Sequence, residues 1–176
     1  MRYPAKQTAA KHERIVKEAS HLFRERGFEN VTVSDVMKAA GLTHGAFYAH
    51  FGSKEELQKA AVAYGQEWSA GRARSYGATQ KGRREYADQY LTSRHRDNPG
   101  DGCTMAALAQ EIARSTPEVK NAFGAGLEEI LAAKGGDRKE AIFQTAALMG
   151  GIALARAVED KRLSNEILES VRQKIG

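Results

Sequence analysis

At 176 residues and a net charge of +5, the chain has room for one large helical domain, or for a small domain of about fifty residues leaning on a larger one. A single cysteine excludes an internal disulfide and agrees with a reducing compartment. With no long apolar run and no apolar signal core in Met1–Lys6, neither membrane insertion nor secretion is expected, so the chain is read as cytoplasmic.

The elements follow from apolar spacing, taken in chain order. Ile15, Ala19, Leu22 and Phe23 repeat at helical intervals between Lys11 and Arg26, and Gly27 closes that helix. Thr32 then reads as the N-cap of a short helix with Asp35 at N3 and Gly41 at C′, its buried face Val33, Val36, Met37 and Ala40. Across Gly41-Leu42, Thr43 opens a third helix that turns Phe47 and Phe51 inward and His44, Gly45, Ala46 and Tyr48 outward. Ser53 and Glu56 form a full capping box for a long fourth helix carrying the stripe Leu57, Ala61, Tyr64 and Trp68. The glycine-bearing basic stretch Ser69–Arg84 reads as a frayed helix end and loop, followed by a short helix around Tyr86, Tyr90 and Leu91. Arg94–Gly102 reads as a punctuated loop, after which Cys103–Arg114 is helical with Asp101 as its N-cap. Thr116 and Pro117 start the next helix, whose buried face is Val119, Ala122, Phe123, Leu127, Ile130 and Leu131. Lys139–Glu159 and a final helix from Ser164, with Ile167, Leu168, Val171 and Ile175, complete the chain. No segment alternates with period two, so the fold class is all-α, with about nine helices.

Charge is divided unequally. Residues 1–96 hold 17 Lys+Arg against 10 Asp+Glu, a net +7, whereas residues 97–176 hold 10 against 12, a net −2. The basic part points to nucleic acid, the remainder to another task. Within it no acid stands between Val36 and Lys54, where proportion alone places about two. The third helix therefore begins without the usual first-turn carboxylate, and its N–H groups and positive dipole end suit phosphate. Gly45 allows close approach of a duplex, and Tyr48, His50 and Lys54 carry donors for phosphate oxygens.

Phe23, Gly27, Phe28, Thr32, Val33, Val36, Ala40, Gly41, Leu42, Thr43, Gly45, Ala46, Phe47, Tyr48, His50, Phe51, Ser53, Lys54, Glu55, Glu56 and Leu57 fall in a pattern over residues 11–57 that resembles the DNA-binding domain of the TetR (tetracycline repressor-like) family of bacterial transcriptional regulators. The resemblance implies DNA contacts at Thr32, Thr43, His44, Gly45, Tyr48, His50 and Lys54, with His44 the position where sequence preference varies. It implies residues 1–53 as a helix-turn-helix DNA-binding domain and residues 54–176 as a helical effector-binding and dimerisation domain. It further implies a homodimer on a palindromic double-stranded DNA operator, with repression the commoner mode, relieved when a small effector binds.

In the second part the small residues of the penultimate helix let another helix approach closely. Ala146, Gly150 and Ala153 with Ile167 and Val171 are the expected dimer interface, and Gly151 shares the small-residue run. Effector-lining candidates are Tyr64, Trp68, Tyr86, Tyr90, Cys103, Met105, Phe123, Phe143 and Met149, all of them equally good core residues. The effector itself is not named by the sequence. Cys103 has a second reading, as a thiol whose helix N-terminus favours thiolate, set against the nearby Asp101 and the lack of a resolving cysteine. Two alternatives thus stand beside the ligand-released repressor: a thiol-based sensor acting through Cys103, and a regulator controlled by a protein partner. No metal spacing among His12, His21, His44, His50 and His95, no nucleophile elbow and no phosphate-binding glycine loop is found, so no enzyme, metal or cofactor is expected.

Overall fold

Nine α-helices and two short 3-10 helices make up the computed structural model, which describes residues 5–175. The Met1–Pro4 part of the leader reading, and the outermost ends of the two expected domains, lie outside the described residues. No described residue is in a strand.

Helix α1 (Ala5–Arg26) runs further toward the N-terminus than its apolar repeat reaches. It buries Ile15, Ala19 and Phe23 completely. Helix α2 (Val33–Ala39) has the expected Thr32 N-cap, which closes into a capping box, with the Asp35 amide donating to Thr32 Oγ1 at 3.1 Å and the Thr32 amide donating to the Asp35 carboxylate at 2.9 Å. These bonds from Thr32 hold the Asp35 carboxyl below its ordinary range. Gly41 follows at φ +64°, the left-handed conformation that lets the chain reverse into the next turn. His44–Ala49 is then a 3-10 helix of six residues instead of an α-helix.

Helix α3 (Lys54–Tyr76) is the longest and packs along both α1 and α7 (Pro117–Lys134). Its N-terminus corrects one expectation, since the Ser53 side chain accepts from the Glu56 amide but the Glu56 carboxylate takes the Gly52 amide, at 2.7 Å, in place of that of Ser53. Ser69–Arg84 also departs from its expected loop. Ser69, Ala70 and Ala73 are buried, so packing carries α3 through Gly71 to Tyr76 despite the local glycine cost. Helix α4 (Gln80–Tyr90) then starts at a Thr79 cap. The expected loop Arg94–Gly102 is mostly ordered as α5 (Ser93–Asp97) and a 3-10 turn (Pro99–Asp101). There Arg96 is buried, donating to Ser164 at 2.9 Å and Asn165 at 2.8 Å, and Asp101 belongs to the 3-10 turn. Cys103 itself occupies the N-cap of α6 (Thr104–Ile112), with no side-chain cap, and its amide donates to His95 Nε2 at 3.0 Å. Helices α8 (Arg138–Ala157) and α9 (Lys161–Ile175) finish the chain, α9 beginning before Ser164.

The buried residues fall into two clusters. The first joins α1, α2, the His44–Ala49 turn and the start of α3, sealed by Leu108, Ile112 and Val119 from α6 and α7. The second joins α3 and α4 to α6, α7, α8 and α9 around Tyr86, Tyr90, Cys103, Ile130, Leu148 and Ile152.

Candidate nucleic-acid interface

Two phenylalanines anchor the third helix. Phe47 and Phe51 stack with ring centroids 5.7 Å apart and are 1 % and 3 % exposed. Burying both rings fixes which edge of the turn faces outward. Residues three apart eclipse in a 3-10 helix, so Gly45 and Tyr48 share the outer edge. Tyr48 is 71 % exposed and meets Phe47 edge-on at 5.3 Å and His44 at 6.4 Å. Thr43 holds the N-cap position in extended backbone, but its side chain makes no capping bond. A Cβ added at Gly45 would meet nothing within 4 Å, and its φ is not positive. Neither packing nor backbone conformation in the described chain calls for glycine there.

Thr43, His44, Gly45 and Tyr48 thus form one exposed edge with no acid. The other sequence candidates make their side-chain contacts within the fold. The Thr32 hydroxyl donates to Asp35 at 2.6 Å. Lys54 Nζ donates to the Phe28 carbonyl at 2.6 Å, tying α3 to the α1–α2 connection and retaining two further N–H donors. His50 is half-buried, 5.9 Å from His12, whose own ring stacks on Phe51 at 4.6 Å. Burial first, then the neighbouring His12 and Lys11, push the His50 imidazole down from its ordinary range.

The nine effector candidates do not converge. Tyr64 and Trp68 line a polar cavity of about 670 Å³ between α1, α3 and α5. Met105 and Met149 line an apolar groove of about 420 Å³ between α6, α7 and α8. Tyr86, Tyr90 and Cys103 are buried in the second core, Phe123 bridges both cores, and Phe143 is 59 % exposed on α8. Sequence reasoning missed the cations of the polar cavity, Lys17, Arg24, Arg72 and Arg94. A signal existed in the spacing of Lys17, His21 and Arg24 along one face of α1, and of Trp68 and Arg72 one turn apart on α3. Among the described residues no cluster of His, Cys, Asp and Glu suits a metal ion, and no helix is long and apolar enough to cross a membrane.

A capped helix, a left-handed glycine turn and a short outward-facing second helix packed on a third define a helix-turn-helix protein. Residues 15–61 match the family model described as "Bacterial regulatory proteins, tetR family". The HTH-type regulator YvdT of Bacillus subtilis is 40 % identical over 52 residues, covering 30 % of this chain and 27 % of that protein. The HTH-type transcriptional repressor KstR2 of Mycolicibacterium smegmatis is 32 % identical over 66 residues, 38 % of this chain and 32 % of that protein. These matches therefore span less than a third of the curated relatives' length. Likeness of fold extends further. The reduced form of E. coli NemR superposes with a TM-score of 0.78 at 20 % identity, covering 94 % of this chain and 95 % of that one. A TetR regulator from Legionella pneumophila gives 0.74 at 21 % identity, covering 93 % and 94 %.

Proposed function

We propose that the chain is a sequence-specific DNA-binding transcriptional repressor, not an enzyme, that acts in the cytoplasm as a homodimer on a palindromic operator and releases it when a small effector binds. The observation that carries this reading is the acid-free edge Thr43–Tyr48, exposed around a glycine that nothing inside the fold requires. A recognition helix reads base edges with its first residues while flanking donors hold phosphates. His44 and Tyr48 stand at that edge, and Thr32, His50 and Lys54 are the proposed phosphate-facing donors around it. Residues 1–53 supply this interface, and residues 54–176 supply the dimer and the larger share of the effector site.

The dimer reading is supported by α8. From Ala141 to Ala155 it holds no charged residue, and its outward side presents Ile142, Phe143, Ala146, Gly150, Ala153 and Leu154. A continuous apolar face of this kind calls for a partner, and the same face on a second copy supplies a two-fold one. A Cβ at Gly150 meets nothing within 4 Å, whereas one at Gly151 would meet Leu91 at 3.1 Å and Val171 at 3.3 Å of its own chain. Gly150 therefore belongs to the proposed interface and Gly151 to internal packing. Ile167 and Val171 pack half-buried on their own second core, at the margin of that face. Cys103, only 4 % exposed, is closed to small electrophiles while the core is intact, so the thiol-sensor alternative is not adopted.

Selection of duplexes from a random pool, followed by footprinting, tests the reading. An inverted repeat with half-sites about one helical turn apart is expected. Equal affinity for every duplex would overturn it. Gly150→Leu should yield a monomer by sedimentation with weakened operator binding, and a variant still dimeric would move the interface elsewhere.

A further inference from the structure

The polar cavity between α1, α3 and α5 has an unbalanced charge. Lys17 and Arg24 enter it from α1, Arg72 from α3 and Arg94 from α5, against a single carboxylate, Asp101. That carboxylate already faces His21 Nδ1 at 3.3 Å. None of the four cations has an ion pair with a carboxylate among the described residues. Arg24 is the most informative of them. Its Nε donates to the Gly100 carbonyl at 2.9 Å and its Nη1 to Ser20 Oγ at 2.5 Å, both neutral partners, while Nη2 has no hydrogen bond among the described residues. A guanidinium withdrawn from water and given only neutral partners favours an anion within reach. One wall is aromatic, with Tyr64 half-buried, Trp68 48 % exposed and the Arg72 guanidinium 5.1 Å from the indole centroid. At about 670 Å³ the space is that of a small-molecule site.

We propose that this cavity is the effector site and takes a small anion, a carboxylate or phosphate ester carrying a flat apolar body: the anionic group meets Arg24, Arg72 and Arg94, and the flat body lies along Trp68 and Tyr64. The inference rests on the reading of the chain as a ligand-released regulator and specifies the chemistry of its ligand. It also supplies a route to the DNA. Arg24 belongs to α1, which shares the first core with the recognition turn, and it is bonded to Gly100 in the turn after α5. An anion bridging Arg24 to Arg72 and Arg94 pulls directly between α1 and the C-terminal helices, and so biases the spacing of the two recognition turns in the dimer.

Trp68 is the only tryptophan, so its emission reports occupancy. Benzoate and phenyl phosphate serve as the two anionic probes, benzyl alcohol as the neutral one, added to the full-length protein with duplex binding measured in parallel. Saturable emission changes with at least one anion and none with the alcohol are expected. A preference between the anions tells carboxylate from phosphate. Arg72→Gln and Arg94→Gln, both away from the buried core, should each weaken the better anion about ten- to hundredfold, the effect of one charge-assisted hydrogen bond. The proposal fails if the alcohol binds as well as the anions, if neither anion saturates at millimolar concentration, if neither variant changes the affinity, or if a random duplex displaces the anion and so claims the cavity for DNA. An anion that binds a protein retaining no duplex would sink the regulator reading alone. Selective duplex binding without an anion response would sink the cavity proposal alone.

Discussion

The two cores of this molecule are built on different terms. The first, around Ile15, Phe23, Met37, Phe47 and Leu57, is apolar apart from Ser20, whose hydroxyl donates to the Ala61 carbonyl at 2.9 Å. The second is laced with polar groups, enclosing Gln66, Arg96, Lys134, Gln144, Thr145 and Ser164. Among the described residues, the buried side-chain N and O atoms without a hydrogen bond, Gln66 Oε1, Tyr90 OH, Thr104 Oγ1, Gln144 Oε1 and Arg156 Nη1, all lie at or beyond residue 66. An apolar, close-packed core has one arrangement and holds a recognition edge still. A core with unsatisfied polar atoms carries a standing cost, which an alternative packing or a ligand can relieve. The first core is suited to presenting a surface, the second to responding.

If that contrast is right, the two cores fail in different ways. The largest effect belongs to Phe47→Ala, which removes a ring 1 % exposed at the centre of the first core. A loss of about 3–5 kcal/mol is expected by urea denaturation, with duplex binding lost beside it because the recognition turn would keep only Phe51 as an anchor. A loss below about 1 kcal/mol would mean that the first core reorganises freely, against the comparison.

The second core should instead fail with acid. His95 accepts the Cys103 amide on Nε2 and so donates from Nδ1 to the Tyr90 carbonyl, at 2.8 Å. Burial, set against that bond to Tyr90, leaves its imidazole pushed down to about 4. The unfolded chain takes up this proton near pH 6.5 and the folded one only near 4, so stability is lost as pH falls through that window, by about 2–3 kcal/mol. Comparing wild type with His95→Asn by thermal melts from pH 7 to pH 4 isolates the contribution, and equal slopes would remove His95 as its source.

Legibility in the sequence divides along the same line. The Thr32 cap with Asp35 at N3, the Gly41 reversal and the inward Phe47 and Phe51 were readable because caps and apolar spacing act within a few residues. The continuation of α3 through Gly71 was not, since the burial of Ala70 and Ala73 depends on helices far along the chain. Nor was the order in Arg94–Gly102, which rests on long-range bonds such as Arg96 to Ser164 and Arg156 to the His95 carbonyl, at 2.7 Å. At the interface, residue types revealed the edge, but that Lys54 reaches the Phe28 carbonyl required the fold. The polar cavity was hidden because its cations come from three helices.

Lys134 sharpens the contrast with a gain in place of a loss. It is 5 % exposed, 5.0 Å from the Tyr86 ring centroid, and burial foremost pushes its ammonium down to about 8. Lys134→Met keeps the stem and removes the buried charge, so a stabilisation of about 1–3 kcal/mol at pH 7 is expected. The advantage should shrink between about pH 8 and 10.5, where the folded lysine has released its proton and the unfolded one has not, so that the wild type gains stability as pH rises. A destabilised variant at pH 7 would show that the ammonium contributes more through Tyr86 than its burial costs.

The smallest effect on the fold is expected at Gly45, and there the comparison is most exposed to failure. An added methyl meets nothing within 4 Å and the backbone is not in the left-handed region, so Gly45→Ala should leave the melting temperature unchanged or slightly raised. The same methyl would stand between the recognition edge and a duplex that approaches the backbone closely. Affinity for the selected inverted repeat should then fall by about 1–3 kcal/mol, comparable to overpacking one close contact, while the unfolding free energy stays within about 0.5 kcal/mol of wild type. The two readouts separate the causes. A matched loss in both would make Gly45 a structural glycine of the first core, and unchanged duplex affinity would move the base-reading surface away from the Thr43–Tyr48 edge.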